Sequence, residues 1–220
     1  MSLIVAIDGP AGSGKGTITK KVGEKLGLIN IDTGAMFRCV TLNMIQEKVT
    51  LEEEEKIKEI LKNIKIDLKE NEEVFLNGIN GSQKIREEEV TKMVSPVSVL
   101  PMVREKMLIL QREMAKGKNV IMEGRDIGTV VFPKANVKIY LDASPEERAR
   151  RRVKQNQEKG MESSYEEVLK NIMERDKRDL SREIAPLKQA EDAIYIDTSD
   201  MTIDEVVDKM VEIIQEKVGK

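Results

Sequence analysis

The stretch that most constrains this chain is GPAGSGKGT, residues 9 to 17, set directly after the apolar run LIVAI (3 to 7) and Asp8. Ile18, Val22 and Leu26 recur every fourth residue just beyond it, while Lys20, Lys21, Glu24 and Lys25 fill the other positions, so a helix follows. The order is strand, glycine-rich loop, helix. In such a loop successive backbone N–H groups converge and the helix adds its positive end, so a polyphosphate is held without side chains in the way. Gly9, Gly12, Gly14 and Gly16 allow close approach, Pro10, Ala11 and Ser13 complete the loop, and Lys15 is spaced to reach the terminal phosphates. A turn that merely joins a strand to a helix needs neither the lysine nor these flanks.

One position departs from the pattern G-x-x-x-x-G-K-[ST]: Gly16 stands where a hydroxyl is expected. Thr17 follows at once, so a metal-facing hydroxyl is available one residue on. A GTP switch would also need D-x-x-G and N-K-x-D, and neither string occurs. A small-molecule phosphotransferase fits better.

The rest of the chain alternates short apolar runs with longer amphipathic ones, the pattern of an α/β fold whose parallel sheet is covered by helices. LIVAI (3 to 7), LINI (28 to 31), NVIM (119 to 122), VKIYL (137 to 141) and AIYI (193 to 196) are the predicted strands, five in all. Ser144-Pro145-Glu146-Glu147 and Ser164-Tyr165-Glu166-Glu167 each start a helix, with Gly160 ending the first, so a helical hairpin is expected over the lid region 144–165. Thr202 and Glu205 form a third capping box ahead of Ile203, Val206, Val207, Met210, Val211 and Ile214. Ile57, Ile60, Leu61 and Ile64 make one apolar stripe, which leaves the charges of LEEEEKIKEILK as a solvated face. Within 64–85, IKIDL and EVFLNG alternate, and Asn71, Gly78, Asn80 and Gly81 supply turns, which predicts a small antiparallel insert. At 220 residues we expect a single unit with its core in 1–62 and 101–220 and an insert subdomain at 63–100.

Composition narrows the chemistry. The net charge is −3, and only three phenylalanines and three tyrosines are present with no basic stripe between them, so no nucleic-acid partner is expected. LIVAI is shorter than a signal-peptide core, no run approaches a membrane span, and Cys39 is the only cysteine, so a cytoplasmic protein with no membrane partner is expected. There is no histidine, which removes imidazole as base, shuttle or ligand. Eight of the twelve arginines lie between Arg125 and Arg182. Arginine grips phosphate oxygens in pairs, and phosphoryl transfer depends on cation placement more than on acid or base help. Arg148, Arg151 and Arg152 lie in the first helix of the hairpin, where they could close over a transferring phosphate or pair with Glu146 and Glu147. Arg175, Asp179 and Arg182 share one helical face; a surface salt-bridge ladder accounts for that spacing equally well.

Taken together, GPAGSGKGT, DTGAMFR (32 to 38), EGRDIGTVVFP (123 to 133), LDASPEERARRR (141 to 152) and ERDKRDLSREIAPL (174 to 187) closely resemble the bacterial cytidylate kinases, within the nucleoside monophosphate kinase family of P-loop kinases. The match runs from Ile4 to about Ile214, and GKGT is that family's own form of the loop. The resemblance implies a P-loop kinase with a five-stranded parallel sheet, a small antiparallel insert and a helical lid. It implies transfer of the terminal phosphoryl group from ATP, with Mg2+, to CMP or dCMP, and a monomer. By motif match residues 9 to 17 hold ATP, and Arg38 and Arg125 grip the acceptor phosphate with Thr33 near it. Ser95, Arg104 and Asp126 surround cytosine, while Arg175, Asp179 and Arg182 hold sugar and phosphate. Lys15, Arg125, Arg148, Arg151, Arg152 and Arg175 are the catalytic cations. Thr17 and, through water, Glu123 are the metal contacts; Glu123 stands where some relatives have an aspartate. The competing readings are another small-acceptor P-loop kinase (UMP/CMP, guanylate, dephospho-coenzyme A or shikimate kinase) and, outside the kinases, a P-loop ATPase or nucleotide sensor.

Overall fold

The computed structural model describes residues 2–69, 73–158 and 160–219. In chain order its elements are β1 (Ile4–Asp8), α1 (Lys15–Leu26), β2 (Ile29–Asp32), α2 (Thr33–Gln46), α3 (Glu54–Asn63), β3 (Ile66–Leu68), β4 (Val74–Leu76), β5 (Ile79–Asn80), α4 (Glu88–Val97), α5 (Pro101–Ala115), β6 (Val120–Gly124), β7 (Val137–Asp142), α6 (Pro145–Glu158), α7 (Tyr165–Leu180), β8 (Ile194–Asp197) and α8 (Ile203–Val218). A single π-helical turn, Ile127–Val131, follows β6. These elements pack as two compact units, Met1–Asn30 with Gly117–Lys220, and Ile31–Lys116.

The first unit is built on the five-stranded sheet in the order β2-β6-β1-β7-β8. β1 lies parallel to both β6 and β7, and β7 to β8. Alternate residues Val5 and Ile7 of β1, Ile121 of β6 and Val137, Ile139 and Leu141 of β7 point to one face, where Ile18 and Val22 of α1 and Val206, Val207, Met210 and Ile214 of α8 close the core. The period of 2 in the strands thus meets the period near 3.6 in the helices. Lys21–Asp204 and Lys25–Asp208 join α1 to α8 at the surface and contribute little beside that apolar seam. The capping box predicted at Thr202 and Glu205 is present in both directions, and Ser164 caps α7 by accepting from the Glu167 N–H. Ser144 Oγ accepts from the Glu147 N–H at the start of α6, and Gly160 turns the chain with φ of +70°.

In the second unit Ile57, Ile60, Leu61 and Ile64 are buried as one stripe, as their spacing predicts. The small sheet is antiparallel in the order β3-β4-β5. Its second hairpin turns at Asn77 and Gly78, both with positive φ, and the Asn77 side chain accepts from the Lys65 N–H at 2.8 Å. Asn71, expected to supply a turn here, lies outside the described residues. The five long strands begin and end within two residues of the predicted apolar runs, and each continues beyond its run onto a polar or glycine residue. Those added residues form the carboxyl end of the sheet, where ligands bind in open α/β folds.

Candidate functional site

The loop after β1 is shaped by sterics. At Gly9 an added Cβ would lie 1.9 Å from the Leu141 carbonyl oxygen of β7, so only glycine lets the chain leave the strand there. The chain runs through Gly12 and Gly14, both with positive φ, into α1, which begins at Lys15. Lys15 is buried, and its ammonium donates to the carbonyls of Gly9 (2.8 Å) and Pro10 (2.6 Å) and to Ser13 Oγ (3.2 Å). Burial lowers its pKa to about 7, with Arg125 and then Arg175 acting in the same direction and Glu123 and Asp8 opposing them.

Gly16 is close to one of the site's acids. An added Cβ at this position would come within 3.2 Å of the Glu123 carboxylate at the end of β6. Glycine leaves the space beside Lys15 to that buried acid. Among the described residues no three His, Cys, Asp or Glu side chains are grouped as a cation cage. One carboxylate beside a phosphate loop nonetheless fits Mg2+, which keeps several waters and takes one or two protein oxygens plus substrate phosphates. Thr17 is exposed on the first turn of α1.

Arg175, Asp179 and Arg182 come together with Arg125. Asp179 is 1% exposed. One of its oxygens accepts from Arg125 Nε at 3.0 Å and the other from Arg182 Nη2. Burial alone would raise its pKa, yet Arg125, Arg182 and Arg175 outweigh it and hold the carboxyl below the usual range. A surface salt-bridge ladder is therefore not what this face is. Arg125 comes from the turn after β6, and Asp126 beside it is buried, with its carbonyl accepting from the Val130 and Val131 N–H groups at 2.8 and 3.1 Å.

The lid arginines are placed differently. Arg148 is buried: its Nε donates to the Ala143 carbonyl, Nη1 to the Ala11 carbonyl of the phosphate loop and to Asp176, and Nη2 to Asp176. Arg151 donates to Glu147 and to the Thr198 hydroxyl and carbonyl, while Arg152 is exposed. In the second unit Thr33 is buried at the start of α2, which Asp32 caps by accepting from the Ala35 N–H. Arg38 donates to the Ile85 carbonyl (3.0 Å) and to Thr91 Oγ1 (2.8 Å). Arg104 donates to the Ser98 carbonyl and lies over the Phe37 ring at 5.6 Å. Ser95, one turn before Ser98, is buried.

Asp8, Asp176 and Phe37 join these networks without having been given a role from the sequence, although Phe37 stands in DTGAMFR, Asp176 in ERDKRDLSREIAPL, and Asp8 closes an otherwise apolar strand.

The family model described as Cytidylate kinase matches residues 5–216. A cytidylate kinase of Geobacillus sp. (strain WCH70) is 50% identical over 218 residues, covering 98% of this chain and 97% of the relative. That of Bacillus subtilis (strain 168) is 46% identical with the same coverage. Among solved structures, a gluconokinase from Sinorhizobium meliloti 1021 (TM-score 0.52, 12% identity, 98% of this chain and 92% of that one) shares the fold. So does a shikimate kinase from Bacteroides thetaiotaomicron (TM-score 0.51, 14% identity, 99% of each chain). At such identities these two speak for the P-loop kinase architecture alone, whereas the family match and the near-half identity extend over the loop, the Arg125–Asp179 cluster and the lid: the chain belongs to the cytidylate kinase family.

Proposed function

We propose that the chain transfers the terminal phosphoryl group of ATP to a phosphate oxygen of CMP or dCMP, releasing ADP with CDP or dCDP. The observation that carries this reading is the neighbourhood of Lys15, a buried loop lysine on which the Glu123 carboxylate and the arginines Arg125 and Arg175 act. Such a group of cations stabilises the negative charge that spreads over a transferring phosphoryl group. The acceptor oxygen is ionised near neutral pH, so no general base is required, and holding the reactants supplies several kcal/mol of the barrier.

Residues 9 to 17 hold the ATP phosphates; for this the Lys15 ammonium exchanges its carbonyl partners for phosphate oxygens. Arg125 and Arg38 take the acceptor phosphate with Thr33 near it, and Arg175, Asp179 and Arg182 take its sugar and phosphate. Ser95, Arg104 and Asp126 read the base. Cytosine offers an amino donor where uracil offers a carbonyl, so the Asp126 carboxylate accepts from the first and repels the second. A buried polar reader of this kind discriminates by up to ~10^4. Arg151 and Arg152 bring charge from the lid hairpin 144–165, and Arg148, anchored to Asp176 and Ala11, acts from its base. Glu123, through water, and Thr17 would hold Mg2+, which supplies positive charge to the phosphates when bound. We further propose that 63–100 serves as the acceptor-side subdomain and that the protein is a cytoplasmic monomer. No helix among the described residues is long and apolar enough to cross a membrane.

An initial-rate assay of ADP release from magnesium-ATP against CMP, dCMP, UMP, AMP and GMP tests the reading. Strong stimulation by the cytidine nucleotides alone is expected. Equal ADP release with and without any acceptor would make the protein an ATPase.

A further inference from the structure

Asp8 is the last residue of β1 and only 4% exposed. An acid in that position is costly to bury, since the four strand residues before it are apolar and it is nearly closed off from solvent. Its two oxygens are both committed. Oδ1 accepts from the Ile127 N–H and Oδ2 from the Gly128 N–H, each at 2.7 Å. These are the first two N–H groups of the π-helical turn Ile127–Val131, which has no acceptors of its own for them. The other bonds of that turn run forward from the Asp126 and Ile127 carbonyls to the N–H groups of Val130, Val131 and Phe132. Gly128 makes the approach possible, because an added Cβ there would stand 3.3 Å from Asp8 Oδ2 and 3.1 Å from Lys138 Cδ.

The turn held in this way begins one residue after Asp126 and two after Arg125, and Asp8 is itself followed directly by Gly9 of the phosphate loop. One carboxylate thus ties the start of the phosphate loop to the segment that carries Arg125 and Asp126. We infer that Asp8 is a positioning residue for acceptor recognition, fixing through Ile127 and Gly128 the main chain from which Arg125 and Asp126 project. This rests on the reading of Arg125 and Asp126 as acceptor contacts. Burial raises the Asp8 pKa to about 6 against the pull of its two N–H donors, with Asp126 adding to the rise and Lys15 opposing it. At neutral pH it is ionised, and an ionised carboxylate accepts at both oxygens.

Asp8→Asn keeps the shape but turns one acceptor into a donor that faces an N–H. Hydrogen exchange should then lose protection at the Ile127 or Gly128 amide. In steady-state assays KM for CMP should rise about tenfold and the CMP over UMP preference should narrow, while KM for ATP stays within about twofold. Asp8→Glu, which keeps the charge and changes the reach, should behave like Asp8→Asn. Equal losses on CMP and ATP, no loss on either, or rescue by Asp8→Glu would overturn the inference. If Asp8→Asn gives no cooperative melt, Gly128→Ala replaces it, because its Cβ crowds the same carboxylate; it should raise KM for CMP and spare that for ATP, and a wild-type KM for CMP would overturn the inference. Asp126→Asn is measured alongside. An unchanged CMP over UMP preference in that variant would sink the parent reading, whereas a narrowed preference there with an intact one in Asp8→Asn would sink only the role given to Asp8.

Discussion

Helices α6 and α7 carry similar rows of charge and use them differently. On α6, Glu147 pairs with Arg150 and Arg151 one turn on, at 2.7 and 3.1 Å, in a row whose outer member Arg150 is 64% exposed. α7 ends at Leu180, so Arg182, expected on one helical face with Arg175 and Asp179, lies just past the helix; Asp179 pairs with it three residues on, but the carboxylate is buried and its second oxygen accepts from Arg125, far off in the chain. The three-residue separation in sequence is the same for Glu147–Arg150 and Asp179–Arg182. What separates the exposed ladder from the buried cluster is a partner more than fifty residues away in sequence, together with the burial that makes each charge depend on the others.

The widest gap between the two regions should appear at Lys15, on which Arg125 and Arg175 act. Lys15→Ala should lower kcat by about 10^2 to 10^3, with CMP affinity in a calorimetric titration largely retained. Retained turnover would mean the loop lysine is not a phosphate ligand. A smaller effect is expected in the pH dependence of stability. Because the folded pKa of Lys15 is pulled from 10.5 down to about 7, the unfolded chain holds the extra proton between those values. The lysine's contribution to stability therefore rises with pH from about 7 toward 10.5 and is lost as pH falls through 7. Urea midpoints measured from pH 6.5 to 9 should show this rise in the wild type and a flatter profile in Lys15→Met; parallel profiles would contradict the assignment. Arg150→Gln should do least of all, changing stability by no more than about 1 kcal/mol and leaving kcat within about twofold. A large loss there would mean the α6 row is a cluster like that of α7.

Much of this was legible in the sequence, and what was not has physical reasons. An apolar run marks the buried part of a strand, so the loop, the five strands and the capped helices could be read from local pattern. The same criterion stops each strand short of its end, because Asp8, Asp32, Asp142 and Asp197 are polar. Those ends border the site, which is how Asp8 escaped a functional reading although it stood next to the phosphate loop. Arg148 illustrates the converse. From PEERARRRVKQ, Arg148 is expected to close over phosphate or to pair with Glu146 and Glu147, yet it is buried because Asp176 of α7 and the carbonyls of Ala11 and Ala143 satisfy its fork. Gly16 lacks the hydroxyl of the usual pattern, and the Glu123 carboxylate, far off in the chain, stands 3.2 Å from where an added Cβ would lie. In each case the deciding neighbour lies far off in the chain.

The contrast between the two helices is tested most directly by the CMP dissociation constant of Asp179→Asn, measured calorimetrically beside Arg150→Gln. If the buried carboxylate holds Arg125 and Arg182 in place for the acceptor, the first variant binds CMP about 10^2-fold more weakly and the second binds it as the wild type does. Wild-type CMP affinity in a folded Asp179→Asn would contradict the account.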